Sequence, residues 1–278
     1  MSRTWLITGS SRGFGLELAR AALKAGDKVV ATARRPEQLN ELVAEHGAAV
    51  RTFALDVTDP AAAREAVAFA IREFGGLDVV VNNAGYANSA PIEDMPEDDF
   101  RAQVAANFFG VVNVTRAALP VFREQRSGYF MQFSSVGGRV GGSPGLGAYQ
   151  AAKFAVEGFS EVLTNEVKPL GIRVTIVEPG AFRTDWQGAS MERASVRPEY
   201  DASVGEMHRL RDASDGKQPG DPVRGAGILV DLVNLETPPL RLLLGADAVE
   251  AVRRSDQIRG AEVEEWAEVS RSAAFPVS

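Results

Sequence analysis

Apolar positions alternate along the chain between two patterns. Short, nearly continuous runs at 4–8, 28–33, 50–56, 77–85, 128–135, 172–180 and 240–245 predict strands. Longer stretches with apolar residues three and four apart predict helices over 14–26, 36–47, 59–75, 96–125, 148–171, 222–234 and 246–271. Pro36 and Gly47 punctuate the second helix, Asp59 stands where an N-cap belongs, and Pro120 predicts a kink in the long fourth helix. Strands that alternate with helices predict a parallel sheet covered on both faces, and "VVV", "VTIV" and "LRLLL" have the unbroken apolar character that two-sided burial requires. Right-handed crossovers make such a sheet doubly wound. No linker or repeat divides residues 1–278, so the reading is one α/β domain with a seven-stranded parallel sheet. The longest irregular stretch is 181–221, a length that points to a functional or mobile loop.

Composition narrows the chemistry. The 278 residues carry a net charge of -7 with no basic stretch, which argues against nucleic acid and anionic membranes as partners. No apolar run approaches the ~18 residues of a membrane span, and the first residues do not resemble a secretory signal, so a soluble cytoplasmic protein is expected. The absence of cysteine excludes disulfides, thiolate nucleophiles and cysteine zinc sites. The two histidines, His46 and His208, read as surface residues and leave little for a catalytic triad or a histidine metal site. No metal is expected.

The first strand runs into "TGSSRGFG", which places Gly9, Ser11, Arg12, Gly13, Phe14 and Gly15 at a strand-to-helix turn. Glycines there let the backbone approach a pyrophosphate, and a helix N-terminus offers free N–H groups; a tight turn without ligand is the plainer alternative. The spacing is G-x-x-x-G-x-G. The second strand ends in "ATARR" with no acid to bond a ribose 2′-hydroxyl, since Asp27 lies at the strand's beginning. Arg34 and Arg35 follow that strand and Arg12 stands in the turn, a set that suits a 2′-phosphate and points to NADP(H).

Taken in order, "TGSSRGFG", "NNAG" (82–85), Asn107, "SSVGG" (134–138), "YQAAK" (149–153) and "PGAFRT" (179–184) resemble the motifs of the short-chain dehydrogenase/reductase family, over residues 4–184 and the strand near 240–245. The overall style is similar to its hydroxysteroid- and retinol-dehydrogenase-like branch. The resemblance implies a Rossmann-like fold and a catalytic set of Ser135, Tyr149, Lys153 and Asn107. Ser135, directly before "VGG", is preferred over its neighbour Ser134. It further implies cofactor contacts from the turn, Asp56, Val57, Asn83, Ala84, Gly85, Tyr149, Lys153, Pro179, Gly180, Phe182 and Thr184. In this reading Ser135 donates to the substrate oxygen, Tyr149 exchanges the proton, Lys153 holds the ribose hydroxyls and Asn107 positions a water behind Lys153. Hydride passes between the nicotinamide and a ketone, aldehyde or secondary alcohol. A cofactor-binding sensor or scaffold without turnover is the alternative; the intact set of four speaks against it.

Helical geometry supplies a reason for the tyrosine–lysine spacing. Four residues return to the same helix face after ~6 Å, so Lys153 can sit beneath Tyr149. A unit charge ~4 Å from the phenol is worth ~4 kcal/mol at an effective dielectric of ~20, enough to lower a tyrosine from ~10 by as much as about 3 pKa units. Tyr86, Val136, Leu146 and Trp186, with Phe182, are expected to wall an apolar or aromatic substrate, and 185–221 reads as a lid over it or a surface loop. Apolar residues on several faces of 96–125 and 148–169, such as Phe108, Phe109, Phe154 and Phe159, suggest a homodimer or homotetramer.

Overall fold

The computed structural model describes residues 2–275 except 187 and 189, two positions inside the expected lid. Its centre is β1, Thr4–Ile7, whose four residues are all buried. The other strands are β2 (Lys28–Ala33), β3 (Val50–Ala54), β4 (Val79–Asn82), β5 (Gly128–Phe133), β6 (Ile172–Pro179) and β7 (Arg241–Leu244). They form one parallel sheet in the order β3-β2-β1-β4-β5-β6-β7. Trp5 pairs with Val29 on one side and Val79 on the other. The order reverses between β1 and β4, which opens a crevice at the strands' carboxyl ends.

Alternation along the strands sorts the core into two layers. Trp5, Val29, Val79 and Tyr129 face α1 (Gly13–Lys24) and a later helix, Pro222–Leu232, through Leu18, Ala22 and Leu229. Leu6, Val30, Val80 and Phe130 face the opposite layer, with Ala66 and Ala70 of the helix Pro60–Phe74 and Val114, Ala118 and Phe122 further on. Asp59 caps Pro60–Phe74 by accepting from the amides of Ala61 and Ala62. Asp27 is buried at the start of β2, where its carboxylate accepts from Trp5 Nε1 (2.8 Å) and Arg3 N (2.8 Å).

Two expectations are corrected. The long fourth helix is not one uninterrupted α-helix. With α2 at Asn40–His46 and α3 at Pro60–Phe74, it comprises α4 (Glu97–Val104), a π turn (Ala105–Phe109) and α5 (Gly110–Gln125), which runs through Pro120. The departure lies where the Asn107 amide donates to the Gln103 carbonyl (2.8 Å), one turn back. A window of this 97–125 helix has a mean hydropathy of 1.3, so it is long and apolar enough to cross a membrane by length and composition, contrary to the sequence reading. Here it packs against the sheet through Val114, Ala118 and Phe122, all fully buried.

The stretch 181–221 is not structureless either. After α6 (Gly147–Val167) and β6 it folds back over the crevice and forms a 3₁₀ turn (Pro198–Tyr200), a π turn (Asp201–Gly205) and α7 (Glu206–Ser214). Buried Met191, Val204 and Arg211 seat it. The chain closes with α8 (Pro222–Leu232), β7 and a long α9 (Ala246–Arg271).

Candidate active site

The crevice is a cleft of about 1260 Å³. At one end the β1–α1 turn comes up without a side-chain cap on α1, so the helix's first N–H groups are left for a ligand. Gly9 (φ +68°) and Gly13 (φ +55°) take the left-handed conformation that such a turn needs. Gly15 serves differently: a Cβ there would lie 2.2 Å from the Gly9 carbonyl oxygen and 2.6 Å from Asn83 Nδ2. It supports the turn from beneath and, alone among the sequence candidates, does not line the cleft. Asn83 does line it, but its amide donates to the Thr8 (3.0 Å) and Gly9 (3.1 Å) carbonyls and so braces the turn.

Gly9, Ser11, Arg12, Gly13 and Phe14 form one wall, with Arg34 and Arg35 past β2 and Asp56 and Val57 past β3. Arg12, Arg34 and Arg35 are exposed at the rim. The Asp56 carboxyl is held below the usual range, first by the Thr58 hydroxyl (2.7 Å) and amide (2.9 Å), then by the Arg34 guanidinium. Ala84, Gly85 and Tyr86 follow β4, and Pro179, Gly180, Phe182 and Thr184 follow β6. The Phe14 ring packs on Phe182 (4.6 Å) and Phe133 (5.6 Å).

The closed end is built on α6. Tyr149 and Lys153, one turn apart, are both buried. The Lys153 ammonium donates to the Phe133 carbonyl at 2.7 Å, which draws it under the tyrosine ring, 5.7 Å from the centroid. The expected electrostatic lowering of the phenol is therefore absent from the protein's own groups. Burial pushes Tyr149 up to about 12, against a smaller downward pull from its hydrogen bond with Ser135. Burial pushes Lys153 down to about 8, with Glu157 opposing. Ser135 Oγ also accepts from Gly137 N (3.1 Å), whereas Ser134 turns to α6, where its hydroxyl is 3.5 Å from the Lys153 carbonyl.

Asn107 is fully buried at the π turn. Its amide donates to the Tyr86 (2.7 Å) and Gln103 (2.8 Å) carbonyls, and its Oδ1 has no hydrogen-bond partner among the described residues. A Cβ on Gly85 would stand 2.4 Å from that oxygen and 3.6 Å from Lys153 Nζ. A buried acceptor thus lies close to the lysine across a glycine, a place suited to a bound donor such as water. Val136, Leu146, Tyr86 and Trp186 line the same end, and the Trp186 ring packs tilted against Tyr149, centroids 5.1 Å apart, beside Met191.

Several residues of the site escaped the sequence reading. Arg211 of α7 reaches the cleft and donates to Ser89 Oγ (3.2 Å) and Ser143 Oγ (2.8 Å). Ser143 N donates in turn to Gln150 Oε1 (3.2 Å), beside Tyr149. Asp247 Oδ2 accepts from Ala181 N (2.7 Å) and pins the turn after β6 from 66 positions away, a relation no local pattern carries. His208 is corrected: it is half-buried, with Nε2 2.8 Å from Ser89 Oγ, and burial and the Arg211 and Arg193 guanidiniums hold it below its ordinary range. His46 is half-buried beside Glu45 (3.7 Å).

Comparison with known proteins adds an independent line. A family model described as short chain dehydrogenase matches residues 3–195. Oxidoreductase BOA17 of Botryotinia fuckeliana is 50% identical over 275 residues, 99% of this chain and 100% of that protein. A short-chain dehydrogenase from Streptomyces avermitilis superposes with a TM-score of 0.92 at 40% identity, covering 99% of this chain and 100% of the other. An alcohol dehydrogenase from the archaeon Thermococcus sibiricus, solved with 5-hydroxy-NADP, gives a TM-score of 0.70 at 26% identity over 88% of this chain and 96% of its own.

Proposed function

The chain belongs to the short-chain dehydrogenase/reductase family and is an oxidoreductase; we propose that it uses NADP(H) to interconvert a ketone or aldehyde with an alcohol. One observation carries the reading: a single cleft joins an uncapped helix start rimmed by Arg12, Arg34 and Arg35 to a buried end that holds Ser135, Tyr149, Lys153 and Asn107. The three guanidiniums suit a 2′-phosphate, and Asp27, just before β2, is buried with Trp5 at the end of the strand away from the cleft. The solved Thermococcus relative holds an NADP derivative. The bound dinucleotide would supply or accept the hydride.

The chain's own residues govern the proton. Tyr149, held near 12 by burial, keeps its proton at neutral pH and is the acid for a carbonyl oxygen seated against it and Ser135. Lys153, anchored on the Phe133 carbonyl, places its charge under that ring, and Asn107 Oδ1 is the acceptor through which a water can refill the proton. Leu146, Met191 and Trp186 exclude bulk water and favour an apolar or aromatic substrate, with 185–221 as the lid.

The test is a fluorescence titration of the purified protein with NADPH and NADH, followed by a panel of ketones and aldehydes. Tighter binding of NADPH and its oxidation by part of the panel are expected. Equal affinity for the two nucleotides would overturn the role of the arginine rim. Tyr149→Phe is expected to bind NADPH as the wild type does while turnover drops by at least ~100-fold; retained turnover would remove Tyr149 from the proton step.

A further inference from the structure

Among the described residues that line the cleft, the arginines are of two kinds. Arg12, Arg34 and Arg35 stand exposed at the rim, whereas Arg211 of α7 is only 7% exposed. Taking a guanidinium out of water is costly unless it is offset. Its bonds to Ser89 Oγ (3.2 Å), Ser143 Oγ (2.8 Å) and the Pro144 carbonyl (3.3 Å) hold the fork in place on neutral acceptors. The surroundings are basic. Burial and the Arg193 guanidinium hold Arg211 below its ordinary value, and burial with both guanidiniums does the same to His208. Asp212, which opposes them at His208, is exposed and takes its bond from Arg193 Nη1 (2.5 Å). Positive charge on this side of the cleft favours an anion.

The positive side is joined to the reacting groups. Ser143 N donates to Gln150 Oε1 (3.2 Å), and Gln150 follows Tyr149 on α6. A Cβ on Gly137 would lie 3.1 Å from Gln150 Nε2 and 3.5 Å from Ser135 Oγ, so this amide reaches the neighbourhood of that serine. Leu146, Met191 and Trp186 pack beside Tyr149 and form an apolar flank. Ser190 Oγ, in the same cleft, is buried and has no hydrogen-bond partner among the described residues, a hydroxyl suited to meeting a ligand. Of the acids that line the cleft, Asp56 accepts from Thr58, Asp247 accepts from Ala181 N, and Asp185 is exposed.

We propose that Arg211 sets specificity for an anionic substrate: an oxo acid with an apolar or aromatic body, its carboxylate held at Arg211 and Ser143 while its carbonyl oxygen meets Ser135 and Tyr149. The proposal rests on the carbonyl reading of this cleft and narrows its substrate class. A carboxylate matches the planar guanidinium fork. The Ser143 hydroxyl, which accepts from Arg211, has its own proton to give. The carboxylate is bound and not converted, and the reduced partner is the hydroxy acid.

Binding is measured apart from turnover. Phenylacetate, phenylpropionate, phenylbutyrate and phenylvalerate are titrated calorimetrically into the protein, each beside its primary amide. At least one acid is expected to bind the wild type about 10-fold or more tightly than its amide. Arg211→Lys, which keeps the charge, is expected to hold part of that preference. Arg211→Gln is expected to lose it through the acid alone, with the amide and NADPH binding as before. Turnover follows with benzoylformate, benzoylacetate, benzoylpropionate and benzoylbutyrate beside their methyl esters. kcat/KM is expected to favour an acid of the series over its ester by a similar factor, and Arg211→Gln to level the two. No preference for any acid in the wild type overturns the carboxylate site, whether or not the variants fold. A preference undiminished in Arg211→Gln places the anion at the arginine rim and overturns the assignment too. Reduction of acids and esters alike strikes the carboxylate site and leaves the carbonyl reading standing. Arg211-dependent binding of the acids with no carbonyl consumed keeps the site and strikes that reading.

Discussion

Lys153 shows how a single residue can serve chemistry at a cost to the fold. Its ammonium is buried and its pKa is pushed from 10.5 to about 8. Between those values the unfolded chain holds the proton more tightly than the folded one, so the lysine's contribution to stability rises with pH across that window and is least favourable below pH 8. Lys153→Met is therefore expected to be more stable than wild type at pH 7. Removing the buried charge gains on the order of 2–3 kcal/mol, offset by about 1–2 kcal/mol for the lost bond to the Phe133 carbonyl. Thermal midpoints measured from pH 7 to 10 should show that advantage shrinking as pH rises; a constant gap would mean the lysine is not strained by burial. Another residue-scale expectation concerns Gly85. In Gly85→Ala the new methyl would sit 2.4 Å from Asn107 Oδ1, so turnover should fall and the domain lose about 1–3 kcal/mol by overcrowding. The spacing of Tyr149 and Lys153 was legible because it depends only on helix geometry. Where the lysine's charge ends up was not, because the carbonyl that takes it belongs to a strand 20 positions earlier.

Elements follow the same division. The seven strands and the helices between them were read from periodicity, as β1 and α3 illustrate: an unbroken apolar run in one case, apolar spacing behind an Asp cap in the other. The π turn at Ala105–Phe109 was not, since a single wider turn leaves the apolar repeat nearly unchanged; it arises with a side chain bonding its own helix and the loop after β4. α7 was missed because the residue it buries is an arginine, Arg211, and its Leu210 is exposed. Arg211→Ala should therefore act on the whole element. It removes the ties from α7 to Ser89, Ser143 and Pro144, and is expected to raise KM for the carbonyl substrate several-fold while the NADPH titration stays unchanged. A matching loss of NADPH affinity would show that α7 supports the dinucleotide end instead.

At the scale of the molecule, the doubly wound parallel sheet was expected from right-handed crossovers, whereas the strand order, and with it the crevice between β1 and β4, came from the structure. A ligand that bridges the β1–α1 turn, the ends of β2 and β3 and the start of α6 ties both halves of the sheet together. NADPH at 100 times its Kd should stabilise the fold by about 2.7 kcal/mol, a rise of roughly 5–10 °C in the melting midpoint, with a smaller rise for NADH at the same concentration. Scanning calorimetry with each nucleotide decides it; equal rises would argue against selection of the phosphate.

The path of the chain through the cleft has one more consequence. The turn that would hold the dinucleotide and the four residues that would handle the proton all come from the first 153 positions, whereas Trp186, Met191 and Arg211, which shape the space above them, come from the loop after β6. Much of what shapes the space above the reacting residues is thus written after them in the chain, while Tyr86, Val136 and Leu146 wall it from the earlier passage. A lineage can redraft the later passage without touching the earlier one, and so can an engineer: grafting the 185–221 loop of a relative onto this body is a route to exchanging what the enzyme accepts while inheriting how it acts.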